Sequence, residues 1–333
     1  MKTRRVKIVG TGKYMPSRIV TDVEMDSLLN TPKGWVLKTT DVASRHFATG
    51  HETASYMGAR AAEDALEAAG LTLADIDCLV CASGTREQSL PSTASLIQKQ
   101  LGETMSGVPA FDIDATCLSF LAGLDMMSYL VDAGRYRHVL LVSSEIASVG
   151  LNWKEKESAA LFGDGAAAVI IGPSRKEEAS VIVASSIKTY SEGAGLSEIR
   201  GGGTRIHPRE HNAETADDFL FYMNGQAIFK MASKLLPGFV DELLSFSGWR
   251  MEDFAAVVPH QGSAMAMRLM RKKLGISGEQ LVYITPNHGN TIAASIPMGL
   301  HEGVMQGKIK RGDRVLMIGT AAGLSLGGIT FVY

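Results

Sequence analysis

The 333-residue chain reads as two versions of one text. GLTLADIDCLVCASG, from Gly70 to Gly84, and GWRMEDFAAVVPHQG, from Gly248 to Gly262, carry glycine, aspartate and glycine at identical internal spacing. Each follows an amphipathic helical stretch, and each is followed by another that ends in Leu-Gly, SLIQKQLG and MRLMRKKLG. RHVLLVSSE (Arg137 to Glu145) and DRVLMIGTA (Asp313 to Ala321) are matching apolar strands about as far apart. A period near half the chain is too long for a solenoid repeat and predicts two similar α/β units. The segments VKIVG, CLVCAS, VLLVSS, AAAVIIG, AAVVPH and VLMIGT are continuous apolar runs, as strands covered on both faces are. The expectation is an α/β fold layered as an α/β/α/β/α sandwich. Residues 1–173 form its N-terminal half and 174–333 its C-terminal half, joined near IIGPSRKEE.

Charge and cysteine content narrow the function classes. A net charge of −2 supplies no field that would draw the chain to nucleic acid or an anionic membrane. The basic runs RKKLG (Arg271 to Gly275) and GKIKRGDR (Gly307 to Arg314) read as solvated faces. The segment MKTRRVKIVGTG lacks the apolar stretch of a signal peptide, and no apolar run reaches the roughly 18 residues of a membrane span. A cytoplasmic protein is expected. Cys78 and Cys81 have metal- or redox-like spacing, but they stand on one strand, where an offset of three sends side chains to opposite faces. They read as core filling, and no metal site is expected.

Cys117 is different. In FDIDATCLSFLAG it stands between a strand-like stretch and a helix whose Phe120, Leu121, Leu124, Met127, Leu130 and Val131 make it apolar nearly all round, hence buried. Free N–H groups and the helix dipole at that first turn favour a thiolate, below the reference thiol pKa of about 8.5. A buried structural cysteine is the alternative reading. Two further motifs bear on it. VVPHQG ends a strand with His260, where the first half has Ala82, and TPNHGNTIAASIP closes a turn on Asn290. The small-residue loop GTAAGLSLGG (Gly319 to Gly328) lets backbone N–H groups approach a ligand, and its spacing fits neither a P-loop nor a dinucleotide fingerprint.

Cys117 in DATCLSF, His260 in VPHQG, Asn290 in HGNTIAAS, the Phe162–Gly163–Asp164–Gly165 run and the early GTGKYMP together resemble the β-ketoacyl-acyl-carrier-protein synthase III family of thiolase-fold condensing enzymes. The resemblance spans essentially the whole chain. It implies that Cys117 takes an acyl group from a thioester, with the N–H groups of Cys117 and Ala322 as oxyanion hole. It also implies that His260 and Asn290 hold the enolate left when a malonyl thioester loses carbon dioxide. The substrates it implies are an acyl-CoA primer and malonyl-acyl carrier protein, the assembly a homodimer, and no further cofactor is called for. A same-fold acyltransferase or non-decarboxylating condensing enzyme is the alternative, and an inactive partner subunit a third.

Other family positions carry over singly. Trp35 matches a tryptophan that stacks on the adenine of coenzyme A, Lys156 and Thr39 replace arginines near that ligand, and Gly323 borders it. Lys230, Lys272 and Lys273 match basic residues that dock the acidic carrier protein. Leu90 stands where relatives often place a phenylalanine in the partner's acyl pocket, and the Leu324–Ser325–Leu326 stretch where a ring-bearing loop is usual. Lost rings predict room for a primer longer than acetyl. Head-to-head condensing relatives of the olefin pathway carry a glutamate base at the position of Leu90, which weighs against that branch.

Overall fold

The computed structural model describes residues 2–333. Its first half runs β1 (Val6–Tyr14), β2 (Arg18–Thr21), α1 (Asp22–Leu28), α2 (Trp35–Thr40), β3 (Ser44–Phe47), α3 (Ala54–Ala69), β4 (Cys78–Ala82), α4 (Thr93–Leu101), β5 (Ala110–Ile113), α5 (Ser119–Asp132), β6 (Val139–Glu145), α6 (Lys156–Ala159) and β7 (Gly165–Pro173). The second runs β8 (Val181–Thr189), β9 (Ser197–Glu198), β10 (Tyr222–Met223), α7 (Gly225–Ser247), β11 (Ala256–Pro259), α8 (Ala264–Leu274), α9 (Thr285–His288), α10 (Ser295–Met305), β12 (Arg314–Ala321) and β13 (Ser325–Val332). Strands β1, β7, β6, β4 and β5 form one sheet in that order; β8, β13, β12 and β11 form the other. Each sheet mixes parallel and antiparallel pairs in the same sense: β4 with β6 and β11 with β12 are parallel, β6 with β7 and β12 with β13 antiparallel. The counterpart of β5 in the second sheet shrinks to a single parallel bridge, Val257 to Leu281.

The duplicated sequence folds as duplicated structure. Helices α3 and α7 both end on a left-handed glycine, Gly70 at φ 63° and Gly248 at φ 70°. After each, an aspartate accepts the backbone N–H three residues earlier: Asp75 from Thr72 at 2.9 Å, Asp253 from Arg250 at 2.8 Å. These bonds cap a 3-10 turn and aim the chain into β4 or β11.

Three apolar layers make the sandwich. Helices α5 and α10 lie between the sheets, where Phe120, Leu124, Ile296 and Leu300 pack on Val80, Leu141, Val258 and Met317. Helices α3 and α4 cover the outside of the first sheet, α7 and α8 the outside of the second. Cys78 falls in the central layer and Cys81 in the outer one, on opposite faces of β4 as a strand requires. Gly12 of the early glycine motif has a packing reason: a methyl group there would stand 2.3 Å from the Ala61 carbonyl oxygen on α3.

Two expectations need correction. Helix α5 is not buried all round, since Met126, Tyr129 and Leu130 are 56%, 41% and 38% exposed. The helix packs against both β5 and β8, the edge strands of the two sheets, so one of its faces looks out between them. The GKIKRGDR run is not simply a solvated face either. Lys308 donates to the Leu281 carbonyl at 2.6 Å, while Arg311 donates to that of Ile8 at 2.7 Å and stacks on Tyr333.

Candidate active site

Cys117 is set by a turn that its neighbours enforce. After β5 the chain enters a 3-10 turn, Thr116–Leu118, with Thr116 at φ 52°, a left-handed conformation uncommon for a residue with a Cβ. Ser119 holds the turn shut: its hydroxyl accepts from the Ala115 N–H at 2.9 Å and donates to the Thr116 carbonyl at 2.7 Å. The thiol thus sits one turn ahead of α5. The N–H groups of Cys117 itself and of Ala322 both face it and favour the thiolate. They do not prevail. Burial, reinforced by the Glu145 carboxyl, pushes the thiol up to about 12. The depressed pKa expected from the helix terminus is therefore overturned, because taking a thiolate out of water outweighs two donors and a dipole.

His260 leaves the end of β11, its N–H donating to the Ile318 carbonyl at 2.8 Å. The next side chain, Gln261, is a fully used buried amide. It donates to the Pro259 and Val282 carbonyls and accepts from Ile284, Thr285 and the Thr285 hydroxyl. That staple fixes the strand end beside the segment leading to α9. Burial lowers His260 to about 4, so the imidazole is neutral near neutral pH. Its Nδ1 lies 2.7 Å from the Ser295 hydroxyl.

Asn290 follows α9 and is held by the Phe162–Gly165 run. Asn290 N–H donates to the Leu161 carbonyl at 2.8 Å, and Gly163 N–H returns a bond to the Asn290 carbonyl at 3.1 Å. Gly163 must be glycine, because a Cβ there would meet the His288 carbonyl oxygen at 2.2 Å. Asp164 braces the run by accepting from Ala48 and Ser148 backbone N–H groups, each at 2.8 Å. The Asn290 amide is oriented as well: Oδ1 accepts from Ile292 N–H at 2.9 Å, and Nδ2 donates to the Gly262 carbonyl at 3.3 Å, two residues beyond His260. The turn that follows Asn290 packs directly on the turn that carries Cys117. Gly319 of β12 lies between His260 and Leu118, the residue after Cys117: an added methyl group would stand 2.8 Å from His260 Cβ and 3.1 Å from Leu118 Cδ2.

A neutral imidazole and an oriented amide are therefore joined through Gly262, beside the turn whose thiol faces two backbone N–H groups. Two family descriptions match this chain, 3-oxoacyl-[acyl-carrier-protein] synthase III over residues 111–191 and its C-terminal part over residues 244–333. The β-ketoacyl-[acyl-carrier-protein] synthase III of Acidiphilium cryptum is 35% identical over 97% of this chain and 98% of its own. The chain belongs to the β-ketoacyl-[acyl-carrier-protein] synthase III family. Among solved structures, the 3-oxoacyl-[acyl-carrier-protein] synthase III of Aquifex aeolicus superposes with a TM-score of 0.87 at 32% identity, covering 100% of both chains. That of Pseudomonas aeruginosa gives 0.88 at 29% identity, covering 99% of this chain and 98% of its own.

The remaining positions read from this synthase family lie in several places. Trp35 opens α2, fixed by the Asp26 carboxylate, which accepts from Gly34 N–H at 2.5 Å and Val36 N–H at 2.9 Å. It packs on the same apolar cluster as Ile292, beside the Asn290 turn. Lys156 is occupied, donating to the Asn30 carbonyl at 3.0 Å, and Thr39 is exposed. Gly323, at φ 140°, follows Ala322 in the loop that faces the thiol. On the far outer layer, Lys230 is exposed on α7 while Lys272 and Lys273 are exposed on the last turn of α8, with Lys273 reaching the Ser233 carbonyl at 3.3 Å. Leu90 projects into solvent, 84% exposed. One expectation about acyl length fails here. Leu326 faces the outer layer among Leu236, Phe239 and Ile318, so losing a ring there opens nothing beside Cys117.

Two residues of the site escaped the sequence reading. Glu145 ends β6 and accepts from Gly84 N–H at 2.7 Å, Thr85 N–H at 2.9 Å and the Thr85 hydroxyl at 2.6 Å. Burial raises its carboxyl to about 8 against those donors and that of Ala293. A carboxylate closing a strand that opens on four apolar residues was the available signal. Ser295 was the other, legible only as the counterpart of Ser119 in the duplicated half.

Proposed function

We propose that the chain carries out a decarboxylative Claisen condensation of an acyl thioester with a malonyl thioester. The observation that carries this reading is a Cys117 thiol faced by the N–H groups of Cys117 and Ala322, with the neutral His260 and the oriented Asn290 joined through Gly262 and the Asn290 turn packed on the turn of the thiol. Cys117 sulfur attacks the primer carbonyl, whose developing oxyanion takes the two N–H groups. The carbon–sulfur bond of the acyl-CoA breaks, and the departing thiolate takes up the proton that the cysteine loses. A malonyl thioester then binds with its carbonyl against His260 and Asn290. Carbon dioxide leaves, and both residues donate to the enolate without bearing charge that would bind the malonyl carboxylate and hold it back. The enolate carbon attacks the acyl-cysteine, releasing a β-ketoacyl thioester and a thiolate that is reprotonated. No step calls on a metal or a further cofactor.

On this reading Trp35, Lys156 and Gly323 border the coenzyme A of the primer, while Lys230, Lys272 and Lys273 meet the carrier protein that brings malonate. The working form is a cytoplasmic homodimer. Among the described residues no helix is long and apolar enough to cross a membrane. The test separates the half-reactions by intact-protein mass spectrometry. Acyl-CoA alone adds one acyl group, Cys117→Ala abolishes it, and Cys78→Ala and Cys81→Ala do not. Asn290→Ala still acquires the group but loses malonyl decarboxylation by roughly 10²–10³-fold, the usual size of one oxyanion donor. Acylation persisting in Cys117→Ala, or equal loss of both half-reactions in Asn290→Ala, contradicts the mechanism.

A further inference from the structure

A neutral histidine carries one ring proton, and which nitrogen bears it is set by the partner of the other. The enolate role proposed above requires the proton on Nε2, the nitrogen toward Gly262, whose carbonyl Asn290 also contacts. Nδ1 must then be an acceptor and needs a donor. Among the described residues, one hydroxyl stands there. Ser295 Oγ, fully buried, lies 2.7 Å from Nδ1 and accepts from the Gln261 N–H at 3.3 Å. Its other neighbour is the Ile292 carbonyl at 2.9 Å, an i−3 contact of the usual helix-start kind. That carbonyl already has a partner in the backbone N–H of Ser295. The Thr116 carbonyl takes the Ser119 N–H in the same way, so what directs the Ser295 proton to the ring is the contact itself, 2.7 Å to Nδ1 against 2.9 Å to the carbonyl.

The duplicated half gives the comparison. Ser119, at the matching place before α5, donates to the Thr116 carbonyl at 2.7 Å and accepts from the Ala115 N–H at 2.9 Å. In the second half the equivalent carbonyl contact lengthens to 2.9 Å, and the short contact is the one to the imidazole. The same serine has been moved from closing a turn to facing a catalytic side chain. We infer that Ser295 is a positioning residue that donates its hydroxyl proton to His260 Nδ1 and so places the ring proton on Nε2, aimed at the malonyl carbonyl. The Ile292 carbonyl also lies against the ring and by itself favours the opposite arrangement, so without the hydroxyl the tautomer reverses.

The inference rests on the enolate role, and the experiment keeps the two apart. Ring-15N-labelled protein is recorded near neutral pH, with His260 picked out of the eight histidines by its loss in His260→Gln. The wild-type chain shows a protonated Nε2 and a bare Nδ1. In Ser295→Ala the proton moves to Nδ1, and malonyl decarboxylation falls by roughly 10²-fold, the scale of one lost oxyanion donor, with a far smaller change in Cys117 acylation. Ser295→Thr, which keeps the hydroxyl, restores tautomer and rate together. A wild-type Nδ1–H overturns the inference even if Ser295→Ala does not fold, and so does an unchanged tautomer in Ser295→Ala. A wild-type chain with Nε2–H that decarboxylates no malonyl thioester sinks the enolate role instead and takes the purpose of the tautomer with it.

Discussion

On the Cys117 sulfur, two backbone N–H groups favour the thiolate while burial and the Glu145 carboxyl disfavour it, and the second pair wins. The resting nucleophile is thus a thiol, activated only as the carbon–sulfur bond forms. This yields a measurable departure from ordinary cysteine chemistry. Alkylation by iodoacetamide should be slow near neutral pH and keep rising with pH well past about 8.5, where an unperturbed thiol levels off. A rate that levels off below neutrality means the thiolate is the resting form and the burial argument is wrong. Lowering the opposing charge moves the same quantity. Glu145→Gln should bring the alkylation profile to lower pH, though it leaves one amide N–H facing donors and costs about 2 kcal/mol of stability. The residue-level reading from sequence stopped where solvent matters. The DATCLSF junction gave away the nucleophile and its helix terminus, both local facts. Its ionisation depends on Glu145 and on burial by the second half, both remote in the chain.

At the scale of elements, the period of the sequence was legible because each half needs the same strands covered on both faces, and continuous apolar runs report that directly. The paired Gly70–Asp75 and Gly248–Asp253 signals were legible for the same reason: they are local caps. What the pattern hid is where the halves diverge. The reduction of a fifth strand to the Val257–Leu281 bridge and the outward face of α5 are set by packing between elements far apart in sequence. The Asn290 turn shows how such packing becomes function. It is held by Gly163 at a carbonyl contact that leaves no room for a Cβ. Behind it, His288 Nδ1 donates to the Ile284 carbonyl at 3.0 Å, while Lys13 from the first half donates to Nε2 at 3.2 Å and pairs with Glu302. Burial, with help from Lys13, lowers His288 to about 4 and keeps it the acceptor of that bond. Gly163→Ala should therefore destabilise the chain by about 3 kcal/mol, the upper range for overpacking. In what still folds, malonyl decarboxylation should suffer more than acylation, since the displaced atoms carry Asn290 and not Cys117. A variant with wild-type melting temperature and decarboxylation disproves the tight contact.

For the whole molecule, one part of the unburied apolar surface is gathered on two neighbouring strand edges and the helix between them. Phe111 on edge strand β5, Met126, Tyr129 and Leu130 on α5, and Ile187 on edge strand β8 are all exposed, and α5 packs against both strands. Asp112 of β5 accepts from Thr93 and Ala94 N–H groups, which places the Leu90 segment beside that edge. An open strand edge flanked by apolar side chains is a liability in a monomer and is covered by a second copy in the proposed dimer. Phe111→Asp should shift the chain from dimer to monomer by light scattering, and a wild-type monomer at micromolar concentration contradicts the assembly. The same interface would carry Leu90 to the partner's acyl site, which joins assembly to chain length. With Leu326 turned to the outer layer, Leu90 and the buried Leu324 are the positions left to set the room available. An isobutyl group is shorter than a benzyl ring, and each methylene buried in the space adds about 0.8 kcal/mol, roughly fourfold in binding. Two to four methylenes beyond acetyl would then give about one to two orders of magnitude in kcat/KM. The measurement is kcat/KM for acetyl-, butyryl-, hexanoyl- and octanoyl-CoA with a fixed malonyl donor. Leu90→Phe should return preference toward acetyl, and it should do so in dimers only, because the side chain acts across the interface. Acetyl-CoA as the best wild-type primer means that neighbouring side chains have closed the space, and a Leu90→Phe profile identical to wild type means that Leu90 never reaches the partner's site.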